Sequence, residues 1–482
     1  MVDRREFPQR WLALPVVLLA TFMAQFDLYV VNVALPVLQH DLHAGDAELQ
    51  LIVGGYAFVY AAGLITAGRL GDRIGHRRMF LIGMAAFGLA SLWCGLAQGP
   101  TDLVVARLVQ GLTAAAMVPQ VLALISLIFA PNERARALSI FGVVIGVGSV
   151  AGQVLGGVIL NADLLGLSWR PIFLVNVPIA LIGVIAGGLL LPKHEAVAHP
   201  RFDLLGAVGI PAGLALVLVP LTVGRDVGWP WWTWASLTLA VIVLAATLQW
   251  ERRLADAGGA PVFDPALFRE RAFSRGLGLS IAIFGSFFSF VFALSLLLQN
   301  GIGLSPLEAG LSFAPLGIAF AVASLIVRGF VGRFGARLVV VGTVVAALGL
   351  LAIVALLANT SAPTVAMLMG PMIVIGLGNG TAVPILIGVV IQSVREGAGM
   401  VSGILTTAQQ FASALGIAAI GAVFFAVLGN GGTLADYSHA MLWSGTCSLI
   451  LAIGAVIIGT LLARDGIEAT ASTNVARGGR TK

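Results

Sequence analysis

The chain is 482 residues long, 59% hydrophobic and only 10% charged, with a mean hydropathy of +1.01. Soluble domains carry about 25% charged residues, so a water-facing globule is excluded and lipid becomes the solvent to reason about. The net charge of +5 does not mark a nucleic-acid binder, because the 27 basic residues fall in short clusters between apolar runs.

The N-terminal MVDRREFPQR precedes an apolar run that continues into FDLYVVNVALP without a small-residue cleavage site. It reads as a retained first span rather than a signal peptide. A bilayer core takes roughly 20 apolar residues per helix. Fourteen such spans are predicted, numbered 1–14 in chain order, at 11–35, 48–68, 79–98, 102–129, 136–160, 171–191, 204–223, 231–250, 273–299, 307–328, 338–358, 363–391, 400–428 and 440–462. The tryptophans of 229-WPWWTW-234 mark an interfacial belt between spans 7 and 8.

Arginine and lysine bias sets the orientation. The N-terminus, the loops after the even spans and the C-terminus together hold 24 basic residues, whereas the odd-side loops hold only Arg170 and Arg225. Both termini are therefore expected in the cytoplasm. The loop 68-GRLGDRIGHRRMF-80 is echoed by 328-RGFVGRFGARLVV-340, where Arg333, Gly335 and Arg337 repeat Arg73, Gly75 and Arg77. Two related halves would produce that echo, although the second copy has Gly332 where the first has Asp72.

Of the 22 acidic residues, only Asp27 falls well inside a predicted span, while Glu308 lies near the start of span 10. A carboxylate in hydrocarbon costs about 2.5–3.5 kcal/mol on insertion scales. Burial penalises its charged form and a nearby cation favours it, so Asp27 is the predicted proton-coupling residue, the alternative being a carboxylate held by hydrogen bonds for folding alone. Arg107 is the basic residue deep in a span, and Gln110 and Gly111 share its helix face. It is read as a functional charge, the alternative being an arginine held by backbone carbonyls as structural glue. In span 5, Gly148, Gly152 and Gly156 form a small-residue stripe suited to close helix packing, with Gln153 and Gly157 on the next stripe. The G-x-G-x-x-A match at 146-GVGSVA-151 lacks the strand that a dinucleotide site requires and is discounted.

Several segments resemble the major facilitator superfamily, in its fourteen-span drug:proton antiporter branch. They are the loop 68-GRLGDRIGHRR-78, 103-LVVARLVQGLTAA-115 in span 4, 148-GSVAGQVLGG-157 in span 5, 26-FDLYVVNVALP-36 in span 1 and 169-WRPIFLVNVP-178. Tyr29, Pro171 and Gln153 depart from the usual Thr, Trp and Pro of those patterns. The resemblance implies an all-α polytopic membrane protein with the major facilitator fold, two six-helix bundles plus two extra spans. The expected divisions are 1–198, an inserted pair at 199–258, 259–464 and a disordered cytoplasmic tail at 465–482. It also implies that Arg107 faces a central cavity near span 1, where it would be the partner charge of Asp27, and that Gly68, Asp72, Arg73, Gly75 and Arg77 form a cytoplasmic gate. In that gate Gly68 would bring span 2 onto span 11, and Asp72 would pair with Arg73 or Arg77. Gly148, Gly152, Gln153, Gly156 and Gly157 would form the antiporter helix. Cavity candidates are Tyr29, Asn32, Gln110, Asn379, Gln409 and Gln410, for which interhelical glue is the alternative role in the late spans.

The expected function is proton-coupled efflux of hydrophobic or amphipathic small molecules, drugs or antibiotics, by alternating access in the cell membrane. The rival readings are a proton symporter importing a metabolite and a non-transporting receptor or scaffold. No G-x-x-x-x-G-K-[ST] sequence is present, and Cys94, Cys447 and the six histidines form no ligand cluster in sequence. No enzyme chemistry, metal or cofactor is therefore expected beyond the proton as coupling ion. The expected partners are a small-molecule substrate and the lipid bilayer, without nucleic acid. A periplasmic adaptor is not specified by the sequence.

Overall fold

A computed structural model of the chain describes residues 9–192, 203–224, 227–259, 261, 265–392 and 398–478. Among the described residues there is no strand, and fourteen helices are long and apolar enough to cross a membrane. They coincide in order with the fourteen predicted spans. Several run longer at their ends, such as span 1 at Arg10–Leu42 and span 9 at Arg271–Gly301. An even number of crossings returns both ends of the chain to one side, the terminal side below; the opposite is the far side.

Local sequence explains the breaks. Pro100, Pro131, Pro171 and Pro306 each open a helix, where a missing N–H costs nothing. Ser305 and Glu308 close a reciprocal capping box on span 10, so Glu308 is an exposed helix cap. The internal echo has a backbone counterpart. Gly75 and Gly335 both take positive φ, 94° and 53°, and each donates its N–H four residues back, to Gly71 O at 2.9 Å and Val331 O at 2.8 Å. Only glycine enters that region without strain. The G-x-G-x-x-A stretch at 146–151 lies in mid-helix.

Span 5 lies along span 1, and its glycines are the reason. A Cβ on Gly152 would stand 2.6 Å from Phe26 O, and one on Gly148 2.9 Å from Gln25 Cβ. Gly157 faces the other way, where a Cβ would meet Pro306 O of span 10 at 2.6 Å. Gly310 reciprocates against Gln153 O at 2.5 Å. Span 2 packs on spans 4 and 13. The expectation that Gly68 brings span 2 onto span 11 is therefore corrected. Gly68 faces Pro119 of span 4, 3.9 Å from its would-be Cβ, because span 13 fills the groove beside span 2.

Further contacts tie the two halves together at the far side. The Ser295 hydroxyl donates to Asn32 O, Gln299 Nε2 donates to Val33 O at 2.9 Å, and Asn300 Nδ2 donates to Gln39 Oε1 at 3.2 Å. Pro36 explains the first of these. It lacks the N–H that would occupy the Asn32 carbonyl, and span 9 supplies the missing donor. Spans 7 and 8 form an antiparallel pair whose first member touches spans 2 and 13. Span 8 buries 17% of its apolar window, so most of it is left to face lipid. Trp231 and Trp234, at the start of span 8, are exposed. The helix of span 14 continues to Gly478. Residues 479–482 lie outside the described residues.

Candidate functional site

Asp27, Arg107, Gln110, Asn176 and Ser91 are all fully buried and meet in one cluster in the N-terminal half. They come from spans 1, 4, 6 and 3. Gln110 lies one turn beyond Arg107 on span 4, so both side chains project from one face. Gly111 lets span 4 sit directly on span 2, since a Cβ there would stand 2.5 Å from Tyr56 O.

Arg107 Nη1 donates to Asp27 Oδ2 and to Gln110 Oε1 at 2.6 Å. Its Nε donates to Ile52 O at 3.0 Å. Ile52 lies in a widened π-turn, Leu51–Gly55, at the start of span 2, where the shift to five-residue bonding disturbs the regular pairing of carbonyls. The guanidinium also stands over the Tyr56 ring at 4.2 Å, a cation–π contact. Asp27 Oδ1 accepts from Gln110 Nε2 at 2.9 Å and from Asn176 Nδ2 at 3.1 Å. Gln110 Nε2 reaches Ser91 Oγ at 2.9 Å as well, and the Cys94 thiol donates to Gln110 Oε1 at 3.4 Å. Two buried polar atoms at the cluster, Arg107 Nη2 and Asn176 Oδ1, have no hydrogen-bond partner. The ion pair of Asp27 and Arg107 is costly to break, because a lone buried charge would remain.

The structure thus brings Asp27 and Arg107 together and adds Gln110, expected as a cavity candidate on the Arg107 face, as a direct partner of Asp27. Asn176 and Ser91 were missed as site residues. Asn176 was visible as the asparagine of 169-WRPIFLVNVP-178, a polar side chain in an apolar run. Ser91 carries no such signal, since a lone serine in a span is common.

The other candidates lie elsewhere. Tyr29 packs its ring on Phe288 of span 9 at 5.4 Å, bridging the halves. Asn32 donates to the backbone of its own helix, at Leu28 O, 3.2 Å. On the terminal side, Asp72 pairs with His76 Nε2 at 3.2 Å rather than with Arg73 or Arg77, because the turn at Gly75 brings the first residue of the next helix back to the end of span 2. The other ring nitrogen of His76 lies 2.8 Å from Gln120 Oε1. Arg77 donates to Gly188 O at 2.6 Å, and Arg73 is exposed. In the C-terminal half, Gln409 donates to Ser280 Oγ at 3.0 Å and Asn379 to Ile375 O at 3.1 Å. Buried Gln410 keeps an unpartnered Oε1. Asn379 also lines a mostly apolar crevice with Ser286, Phe287, Phe290 and Thr343.

Asp27 is not the only acid buried within a helix. Glu251 is fully buried on span 8, whose helix runs on to Asp256, past the predicted end at 250. It lies against Gly206 beside buried Asp203, which caps span 7 and accepts from Trp250 Nε1 at 3.0 Å. Among the described residues, no group of three or more His, Cys, Asp or Glu side chains is placed to hold a metal.

The family model described as Major Facilitator Superfamily matches residues 17–204 and 202–417. The cephamycin export protein of Amycolatopsis lactamdurans is 35% identical, covering 86% of this chain and 84% of that protein. The tetracenomycin C resistance and export protein of Streptomyces glaucescens is 31% identical over 87% of this chain and 77% of its own length. Among solved structures, a bacterial homologue of the human lysosomal transporter Spinster, inward-facing and unoccupied, superposes with a TM-score of 0.68. It shares 17% identity and covers 95% of this chain and 97% of that one.

Proposed function

Because the chain belongs to the Major Facilitator Superfamily, and so is a multi-pass membrane transporter rather than an enzyme, we propose that it exports hydrophobic or amphipathic small molecules of the antibiotic class in exchange for protons. The relatives named for antibiotic export support the cargo class and direction. The single observation behind proton exchange is the fully buried ion pair of Asp27 and Arg107. A carboxylate so enclosed changes its interactions completely when it takes up a proton, and alternating access exposes it to each side in turn. The halves meet closely at the far side, which on this reading is the extracellular face. The cargo path and the proton would then be open to the cytoplasm, where the arginine-rich loops place both termini.

One proton descending 100 mV supplies about 2.3 kcal/mol. At about 1.4 kcal/mol per tenfold, that sustains roughly a 50-fold gradient of a neutral cargo. For a monovalent cation exchanged one for one, the potential cancels and only the pH difference drives export. Dye efflux from cells with and without an uncoupler tests the reading. Wild type is expected to lose export with uncoupler, and Asp27→Asn to show no gradient-driven export in either condition. Gradient-driven export by Asp27→Asn would refute the role of Asp27.

A further inference from the structure

The two amides that hold Asp27 are not equivalent. Gln110 is fixed from both ends. Its oxygen accepts from Arg107 Nη1 and the Cys94 thiol, and its nitrogen donates to Asp27 Oδ1 and Ser91 Oγ. Turning that amide over would set its NH2 against the guanidinium. Asn176 has no such constraint. Its Nδ2 donates to Asp27 Oδ1 at 3.1 Å, and its Oδ1, fully buried, has no hydrogen-bond partner. An unmade bond at a buried carbonyl costs about 1–3 kcal/mol, and nothing in the charged state of the cluster repays it.

The neutral state does. A proton arriving on Asp27 Oδ1 turns an acceptor into a donor, and two N–H groups then point at an O–H. An asparagine amide has a donor end and an acceptor end of nearly equal shape. Rotating Asn176 by half a turn removes one opposed N–H and brings the idle carbonyl to the acid. We propose that Asn176 is the proton-responding partner of Asp27, offering its N–H to the carboxylate and its carbonyl to the carboxylic acid. This rests on the proton-exchange reading above and deepens it. Asn176 is a positioning residue, since it acts on cargo only through Asp27. The titratable and charged groups around the pair are Arg107 from span 4, Tyr56 from span 2 and Cys94 from span 3. Tyr56 directs its hydroxyl away, to Ala24 O at 3.4 Å, and Cys94 is committed to Gln110. Asn176 is therefore the side chain at Asp27 with an acceptor to spare. A fixed amide donor would serve the charged state alone, whereas a turning amide stabilises both and lowers the cost of passing between them.

Infrared difference spectra on acidification of full-length protein carrying side-chain 13C-asparagine test the idea. In wild type, a carboxylic acid band from Asp27 and a downshift of one asparagine C=O band are expected to rise together. Both should vanish in Asp27→Asn, and only the asparagine band should vanish in Asn176→Gln. An Asp27 acid band that titrates with no asparagine shift traceable to position 176 would overturn the proposal and leave proton exchange intact. If no Asp27 acid band appears in wild type, proton exchange itself fails and takes the proposal with it. In proteoliposomes, Asn176→Leu should lose roughly tenfold or more of pH-driven efflux, and Asn176→Gln, with both ends of an amide, should lose less. Equal losses in the two variants would also refute a role for the amide. The labelled wild-type spectrum keeps the test decisive if the leucine variant does not fold.

Discussion

Replacing Arg107 by Met separates a charge partner from structural glue. The substitution removes the ion pair to Asp27, the bonds to Gln110 Oε1 and Ile52 O, and the contact with the Tyr56 ring. If Arg107 is glue, the loss is a sum of ordinary interhelical contacts. These average about 0.6 kcal/mol each in membrane proteins, so roughly 2 kcal/mol is lost, and a further change at Asp27 makes matters worse. If Arg107 balances a buried charge, its removal leaves the Asp27 carboxylate with only two amide donors at zero exposure. That costs about 3–5 kcal/mol. Neutralising the acid then restores stability, because Asn at 27 keeps a carbonyl for both amides and carries no charge. The double variant Asp27→Asn, Arg107→Met is expected within about 1–2 kcal/mol of wild type, the remainder being the lost bond to Ile52 O. Reversible unfolding in mixed micelles measures all four corners of the cycle. A double variant as unstable as Arg107→Met alone, or more so, would refute the charge-balance argument. Neither variant is expected to pump against a gradient, so stability and transport are read separately.

Two other outcomes are expected. Gly310→Ala would place a methyl 2.5 Å from Gln153 O, and because that atom is backbone, spans 5 and 10 must part. Overpacking of this kind costs about 1–3 kcal/mol. Cysteine cross-linking between the two spans at the far side should fall, and unchanged cross-linking would contradict the packing described here. Among cargoes, dicationic biocides should be exported poorly relative to monovalent or neutral compounds. The cluster holds one carboxylate, already balanced by Arg107, and the late-span candidates Asn379, Gln409 and Gln410 are uncharged. Strong resistance to dications on expression would count against a single acid as the coupling group.

The spans were legible because lipid makes hydropathy nearly sufficient. A lone stretch of backbone meets nearly all of its hydrogen bonds in lipid only as a helix, so length and apolarity identify each crossing. Asp27 and Arg107 stood out singly for the converse reason, as charges deep in apolar runs, whereas their pairing was legible only through the resemblance to the superfamily's motifs. Asn176 was less visible, because an asparagine in a span is cheap enough to serve many roles. Glu251 was missed because the predicted end of span 8 stopped one residue short of it. Burial there depends on Gly206 leaving room on span 7, a relation between helices that periodicity does not carry. The partner of Gly68 failed on similar ground. A small residue announces close packing but not which neighbour arrives, and span 13 rather than span 11 lies beside span 2.

Span 1 joins the buried acid to the seam between the halves. Asn32 lies five residues beyond Asp27, about 8 Å along the helix axis, and its carbonyl meets Ser295 of span 9 because Pro36 has no N–H to offer it. The proline therefore creates an acceptor that only the other half of the molecule fills, and it does so at the side where the halves are closed. Ser295→Ala should strand that carbonyl in a buried site and cost about 1–3 kcal/mol. Pro36→Ala restores the intrahelical donor, so adding Ser295→Ala to it should cost less than about 1 kcal/mol. The same cost for Ser295→Ala in both backgrounds would mean that the serine supports the seam in some other way. A smaller cost after Pro36→Ala would show that Ser295 fills the acceptor that Pro36 leaves open, tying the two halves together on the helix that carries Asp27.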